Sequence, residues 1–222
     1  MNHFITSAAL NFFITFGAAV FLLFSGSPIK RYFGYFWFCV SFWVFLVGFQ
    51  FQILRWMDPK TWGFVLHIGC ISVPLVFYHF TLKYKSLDLS PFYKRIFFAG
   101  CGLFFVFLIL IVFTDVFTGE IVYREFYAYP KPSFLYPLYI AYFQFYGILS
   151  TMLILRSKNG LEPYKKKYLY SFLMLHVLAY AGAMDNYLIM YDVQIFPLYP
   201  FGLYLLVPYV LFGSYSLIRI LE

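Results

Sequence analysis

Seven long apolar stretches dominate this sequence, and each has about the length of a helix that crosses a lipid bilayer. A bilayer core of about 30 Å requires about 20 apolar residues in a helix. A β-barrel would instead show segments of about ten residues with alternating polarity. The sequence therefore predicts an all-α membrane protein, with residues 1–222 forming a single seven-helix transmembrane domain. The predicted helices are Thr6–Phe24, Tyr32–Gln50, Trp62–Leu82, Ile96–Thr114, Ser133–Leu155, Tyr168–Met190 and Ile195–Leu217.

The composition agrees with lipid as the solvent. Hydrophobic residues make up 63% of the chain and charged residues 11%, whereas soluble proteins contain about 45–50% apolar and about 25% charged residues. So few charges could not cover a surface that faces water. No Lys or Arg precedes the first apolar run, so we expect this run to remain as a membrane helix rather than to be cleaved as a signal peptide.

Basic residues are divided unevenly between the two sides of the predicted bundle. Twelve of the 16 lie on one side and four on the other. Because Lys and Arg concentrate in cytoplasmic loops, we expect the N-terminus outside and the C-terminus in the cytoplasm. The net charge of +7 then reports topology, and no nucleic-acid partner is predicted. The twelve are Lys30, Arg31, Lys83, Lys85, Lys94, Arg95, Arg156, Lys158, Lys165, Lys166, Lys167 and Arg219, and the four are Arg55, Lys60, Arg124 and Lys131.

Signatures of common enzymes are absent from the sequence. It contains no GxSxG, HExxH, GxGxxG or GxxxxGK[ST] pattern, and the last predicted helix has no lysine for a retinal Schiff base. Cys39, Cys70 and Cys101 lie inside apolar runs without a CxxC pair, which predicts neither a disulfide framework nor a thiolate metal site. The sequence therefore shows no signature of a catalytic site or of a metal site.

Two histidines leave one cofactor hypothesis open. His79 and His176 fall in the inner halves of the third and sixth predicted helices, at similar depth. They could ligate a haem or another pigment between these helices, or each could form a hydrogen bond to a neighbouring helix. No other cofactor is predicted.

A polar site is predicted in the half of the bundle that faces outside. Asp185 is the only acidic residue inside the seven predicted spans, and a carboxylate that faces lipid is costly. One interpretation is an aromatic pocket that opens outward and uses Asp185 to bind a hydrogen-bonding group or a cation. The other is an interfacial acid that meets headgroup water. The candidate ligand-binding residues are Asp185, Asn186, Tyr136, Tyr139, Tyr199 and His67.

Three local patterns carry a resemblance to a known family. They are Pro74-Leu-Val-Phe-Tyr-His79-Phe80, the segment from Tyr168 to Pro197 with Gly182 and Asn186, and Gly213-Ser-Tyr-Ser-Leu-Ile-Arg-Ile220. With them, the chain resembles, over nearly its full length, the N-terminal seven-helix membrane region of bacterial sensor histidine kinases and related signalling proteins. The resemblance implies a sensing or interaction module in the bacterial inner membrane rather than an enzyme, and it implies no catalytic residue in this chain. No PAS, dimerisation or ATP-binding segment follows up to Glu222, so both a fragment and a stand-alone module stay open.

These observations give two functional hypotheses. The first is a sensor-like module that signals to a protein partner in the membrane or at the cytoplasmic face. The second is a non-catalytic structural or accessory subunit of a larger membrane complex, in which partner helices cover the Phe-rich surfaces. We expect Lys165, Lys166 and Lys167 to contact the partner, and this cluster could also touch anionic lipid headgroups.

Overall fold

The structure is a computed structural model that describes residues 3–123, 128–191, 193 and 202–222, without the side chains of residues 3–5, 184–186 and 189. Most of this part of the chain is helical. A two-stranded hairpin separates the first five helices from the rest. The elements are α1 His3–Leu23, α2 Pro28–Gly48, α3 Gln50–Ile53, α4 Pro59–Tyr84, α5 Pro91–Phe113, β1 Thr118–Tyr123, β2 Ala128–Pro132, α6 Tyr136–Leu155, a 3₁₀ turn Arg156–Gly160, α7 Pro163–Met190, α8 Gly202–Pro208, a π-helical segment Tyr209–Gly213 and α9 Ser214–Leu221.

Six helical segments are long and apolar enough to cross a membrane, judged by length and composition. This confirms the prediction of an integral membrane protein built from helices. The seventh predicted span, Tyr168–Met190, lies within the 28-residue helix α7, which is not one of the six. The six segments are Thr6–Leu23, Pro28–Gly48, Pro59–Tyr84, Pro91–Phe113, Tyr136–Gly160 and Gly202–Leu221.

Three helices begin at a capping residue that is followed by proline. The pairs are Ser27–Pro28 for α2, Asp58–Pro59 for α4 and Ser90–Pro91 for α5. Proline suits the first helical position because its φ is already helical and its missing N–H would have no partner there. At the start of α4, the Asp58 side chain also accepts a hydrogen bond from the Thr61 N–H at 2.9 Å. All three helices therefore start a few residues earlier than the apolar runs predict.

A β-hairpin occupies the connection that the sequence analysis treats as a loop. Strands β1 and β2 are antiparallel, with Ile121 opposite Pro130 and Tyr123 opposite Ala128. The hairpin packs against the first turns of α4, where Gly63 lies close to Ile121 and Pro130. It therefore closes the end of the bundle at which α4 begins and α7 ends.

The helices pack in an order that leaves a space at the centre. Helix α1 contacts α2, α2 contacts α4, and α4 contacts α5 and α6, while α7 contacts α6, α8 and α9. Polar side chains join distant helices. Asn11 donates to the Leu203 carbonyl at 2.8 Å, and Tyr142 donates to the Ile71 carbonyl at 3.2 Å. Such bonds fix the helix positions in an environment where water does not compete.

Candidate functional site

An elongated cavity of about 140 Å³ lies between α2, α4, α6 and α7. Its residues on α4 are three or four positions apart or form adjacent pairs between such steps, so they lie on one face of that helix. They extend from Trp62 to Phe77, which corresponds to roughly 22 Å at a rise of 1.5 Å per residue. The cavity is therefore a narrow channel along the bundle. Its α4 face consists of Trp62, Leu66, His67, Cys70, Val73, Pro74 and Phe77.

Gln50 lines the channel at the end closed by the hairpin. Its side chain is 1% exposed, and its Oε1 accepts a hydrogen bond from the Ala128 N–H at 3.0 Å. Because a backbone N–H can only donate, this contact fixes which amide atom faces β2. The remaining atom, Nε2, has no hydrogen-bond partner among the described residues. Gln50 thus offers an unused donor to whatever occupies this end of the channel.

His176 lines the opposite end of the channel. Its ring stacks on Phe77 with the ring centroids 4.3 Å apart, and its Nδ1 lies 2.8 Å from the Tyr209 hydroxyl. The other ring nitrogen, Nε2, is buried and has no partner in the described part of the chain. Tyr209 opens the π-helical segment directly after Pro208. Such segments are frequent at functional sites.

The wall between the two ends is aromatic, and its polar atoms already have partners. The Tyr187 hydroxyl donates to the Tyr139 hydroxyl at 3.5 Å, and the Tyr180 hydroxyl donates to the Phe143 carbonyl at 2.6 Å. Tyr136 donates to the Met190 sulfur at 2.9 Å. The unused hydrogen-bonding capacity is therefore concentrated at the two ends.

The chemistry of the lining favours an uncharged occupant. None of the described residues around the cavity is Asp, Glu, Lys or Arg, and an unpaired charge would be strongly disfavoured in such surroundings. Each buried polar atom without a partner costs about 1–3 kcal/mol. An uncharged molecule with an apolar body and polar ends would avoid the cost of a buried charge and would give the unpaired polar atoms a partner.

The described residues hold no group of three or more His, Cys, Asp or Glu side chains that could bind a metal ion.

Three of the predicted ligand-binding residues are brought together in the cavity wall. His67 is buried, with its Nδ1 2.7 Å from the Gly63 carbonyl oxygen, and its ring lies edge-on to Tyr136 and Tyr139 at centroid distances of 6.0 and 6.2 Å. Asp185 and Asn186 belong to α7, but their side chains lie outside the described part of the structure, as does the whole of Tyr199.

The two histidines of the haem hypothesis have different surroundings. His79 packs between Tyr32 of α2 and Phe97 of α5, at centroid distances of 5.0 and 4.9 Å. His176 stacks on Phe77, which precedes His79 by two residues and so projects about 200° away around α4. The structure therefore does not bring His79 and His176 together as two axial ligands.

The lysine cluster lies in the first two turns of α7. Lys167 is exposed and Lys165 and Lys166 are partly buried. The Lys165 ammonium lies 5.8 Å from the centre of the Tyr164 ring. This places the cluster at a helix start, on the far side of the bundle from the hairpin.

Gln50 and Tyr209 are site residues that were not predicted from the sequence. Gln50 falls at the end of a predicted span, where a polar residue is ordinary, and Tyr209 is one of 22 tyrosines. A usable signal was the repeated three- and four-residue spacing from Trp62 to Phe77, which marks the channel face of α4.

Comparison with known proteins adds no family to this picture. No family model, curated protein or solved structure matches the chain.

Proposed function

We propose that this protein is a seven-helix membrane sensor-like module that binds a ligand in the channel and signals to a partner in the membrane or at the cytoplasmic face. The observation that carries the proposal is the channel with a buried, unpartnered polar atom at each end. A purely structural bundle would gain stability by filling such a space, because voids and unpaired polar groups both destabilise a fold.

A route from the channel to the C-terminus supports the sensing role. Tyr209 contacts His176 inside the channel and begins the π-helical segment that continues into α9. An occupant that bonds to His176 would compete with or strengthen the contact to Tyr209. Because a π segment can revert to α-helical bonding by a small shift in register, such a change would rotate or translate α9.

The pattern of basic residues supports the proposed orientation. With seven crossings, twelve basic residues lie in the cytoplasm and four outside, as the positive-inside rule requires. The resemblance to the membrane region of bacterial sensor kinases supports the bacterial inner membrane as the location.

The proposal is tested by measuring the distance between the 3₁₀ turn Arg156–Gly160 and the end of α9, which are both proposed to lie at the cytoplasmic side. Spin labels are attached to cysteines introduced at Lys158 and Glu222, after replacement of the three native cysteines by alanine. The protein is reconstituted in vesicles of synthetic phosphatidylcholine or of lipid extracted from the host membrane. We expect the distance distribution to differ between the two vesicles, because only the extract supplies the ligand.

Two matched variants separate the ligand from a general lipid effect. Val73→Phe fills the channel in the middle of α4, whereas Val106→Phe adds the same volume at an exposed position of α5. The difference between the distance distributions in the two kinds of vesicle should persist in Val106→Phe and disappear in Val73→Phe. An identical distribution in both vesicles for the wild-type chain would contradict the sensor proposal.

The partner contact is proposed to lie on the lysine cluster Lys165–Lys167. Reversal of all three residues to Glu should lower recovery of a cross-linked membrane partner by about tenfold, because several charge pairs are lost together. Reversal of Lys60 and Lys131, which lie on the opposite side, should have no effect. Insertion is checked by protease protection, and normal recovery with the triple reversal would count against this contact.

A second candidate is the accessory subunit of a membrane complex, and one observation favours it. In α5, only 17% of the apolar segment that could cross the membrane is buried within the chain. The side chains of Phe98, Phe105 and Phe113 are all more than 60% exposed. Partner helices could cover this face. Replacement of the three residues by Leu keeps the face lipid-compatible but removes the aromatic contacts. Loss of a stoichiometric complex on native gels would favour the subunit role, and an unchanged complex would oppose it.

A further inference from the structure

We infer that the channel binds an uncharged, elongated, lipid-soluble molecule that carries a hydrogen-bond acceptor at one end and a second polar group at the other. The inference rests on the proposed function in that it takes the channel as a ligand site, and it adds the chemical class of the ligand. Four observations support it: the fixed amide of Gln50, the free nitrogen of His176, the absence of formal charge in the described lining, and the length of the channel.

Gln50 determines the first polar group. Its Oε1 is engaged by the Ala128 N–H at 3.0 Å, so the group directed elsewhere is the NH₂, which can only donate. A matching ligand atom must therefore accept a hydrogen bond, as a carbonyl, ether or hydroxyl oxygen does. Neighbouring lining residues such as Val47 and Leu66 are apolar, so the rest of the ligand at this end is apolar as well.

His176 determines the second polar group more broadly. Because its Nδ1 shares a proton with the Tyr209 hydroxyl, its Nε2 either donates or accepts, according to the tautomer. A hydroxyl group can satisfy both cases. The stack on Phe77 holds the imidazole ring in place, so the ligand meets a preformed site.

The wall between these ends determines the body of the ligand. The described tyrosine hydroxyls along the wall have partners, and a water molecule needs about two to four polar partners to be held in a buried site. The middle of the channel offers few, whereas an alkyl or polyisoprenoid chain needs none. The α4 face of the channel extends from Trp62 to Phe77, roughly 22 Å, and Gln50 and His176 lie toward its opposite ends, so the ligand is long and narrow.

The test uses a dodecanediol with a hydroxyl group at each end and bromine at mid-chain as the probe. Bromine quenches tryptophan fluorescence at short range, and Trp43 and Trp62 both line the channel. The full chain is reconstituted in phosphatidylcholine vesicles and titrated with the probe. The part of the quenching that disappears in the channel-filled variant Val73→Phe reports binding in the channel, because partition into the bilayer is the same for both proteins.

We expect saturable quenching by the diol, and affinity lowered roughly five- to tenfold in Gln50→Leu, as expected for loss of one buried hydrogen bond. Gln52→Leu is the matched control, since Gln52 lies on the same short helix α3 but is exposed. His176→Phe keeps the aromatic stack on Phe77 and serves as the second variant if Gln50→Leu misfolds. It should weaken binding to a similar extent.

Three results would overturn the inference. The first is equal affinity for brominated dodecane, which lacks hydroxyl groups. The second is tighter binding of the brominated dodecanedioate, which is charged at both ends. The third is equal affinity in Gln50→Leu, His176→Phe and the Gln52→Leu control. Binding of the diol without any change in the distance between the labelled segments would support the ligand class and contradict the sensor proposal. A distance change with host lipid but no binding of the diol would support the sensor proposal and contradict the ligand class.

Discussion

Ser86 follows the end of α4 and is the only non-glycine residue with a positive φ, 53°, in the described part of the chain. The Leu87 N–H donates to the Leu82 carbonyl at 2.8 Å, which is the long hydrogen bond of a Schellman ending. Because glycine adopts this conformation without a clash involving Cβ, we expect Ser86→Gly to raise the free energy of unfolding by about 0.5–1 kcal/mol. Ser90→Gly, at a φ of −70°, should give no gain. Equilibrium unfolding in mixed micelles measures both, and equal changes would contradict the assignment.

Asp88 lies in the same turn and predicts a pH dependence. Its carboxylate accepts a hydrogen bond from the Lys83 ammonium at 2.7 Å, and this contact lowers the pKa of Asp88. Because the folded pKa lies below the unfolded value of about 3.9, the pair stabilises the fold above that pH and is lost as the pH falls through the folded pKa. Both side chains are about a quarter exposed, so we expect a contribution below about 1 kcal/mol.

The variant Asp88→Asn isolates this contribution. At neutral pH, it should unfold more easily than the wild-type protein, and the difference should narrow as the pH falls below about 4. A difference that stays constant from neutral to acidic pH would show that the ion pair is not its source.

At the scale of elements, a close approach of two backbones joins α7 to α8. A Cβ atom added to Gly202 would meet the Gly182 carbonyl group, and a Cβ added to Gly182 would meet the Gly202 Cα at 2.9 Å. Because the obstacle is backbone, it cannot turn away as a flexible side chain could. Small residues in such positions allow membrane helices to pack closely.

We therefore expect Gly202→Ala to destabilise the fold by about 1–3 kcal/mol. The matched control is Gly102→Ala on α5, where an added Cβ meets no atom within 4 Å, and where alanine should be neutral or favourable in a helix. Thermal unfolding in detergent compares the two variants. If Gly102→Ala is as harmful as Gly202→Ala, the backbone contact is not the cause.

Apolar run length predicted the six apolar segments that are long enough to cross a membrane, but it could not predict where these helices start or what joins them. The apolar run begins at Trp62, whereas α4 begins at Pro59. Because the cap Asp58 and the first-turn residue Lys60 are polar, apolar run length alone did not indicate this earlier start. The hairpin was missed because β1 is only six residues long and lies between stronger membrane signals. Its residues Ile121, Val122 and Tyr123 favour a strand, so the signal was present but short.

At the scale of the whole molecule, the channel is lined by residues of α2, α3, α4, β2, α6, α7, α8 and the π-helical segment, and no single segment reveals it. The sequence placed His67, Tyr136 and Tyr139 at one site because residue spacing defines a helix face and span order defines depth. It could not identify Gln50, because the value of its amide depends on the distant Ala128 N–H. Likewise, the role of His176 depends on Phe77 and Tyr209, which only the packing of α4, α7 and the π-helical segment brings together.

The number of times the chain crosses the membrane depends on α7. The chain crosses seven times if α7 spans the bilayer together with the six apolar segments, and six times if it does not. With 28 residues, α7 is about 42 Å long at 1.5 Å per residue, which exceeds a bilayer core of about 30 Å. It also packs against α6, α8 and α9. Although α7 is not one of the six apolar segments, its residues His176 and Tyr187 line the channel, and membrane helices tolerate polar residues that face the bundle interior.

We therefore predict that α7 crosses the membrane and that the termini lie on opposite sides. In a chain without native cysteines, a cysteine introduced at Val193, which is exposed beyond the end of α7, should react with an impermeant maleimide added outside intact cells. A cysteine at Lys158, before α7, should not react until the membrane is opened.

Reporter fusions test the position of the C-terminus. A fluorescent protein fused after Glu222 should fluoresce, and alkaline phosphatase at the same place should be inactive, because seven crossings return the C-terminus to the cytoplasm. Labelling of both cysteines from the same side, together with active phosphatase after Glu222, would mean that α7 does not cross, that six helices span the bilayer, and that the twelve-to-four division of basic residues does not report topology.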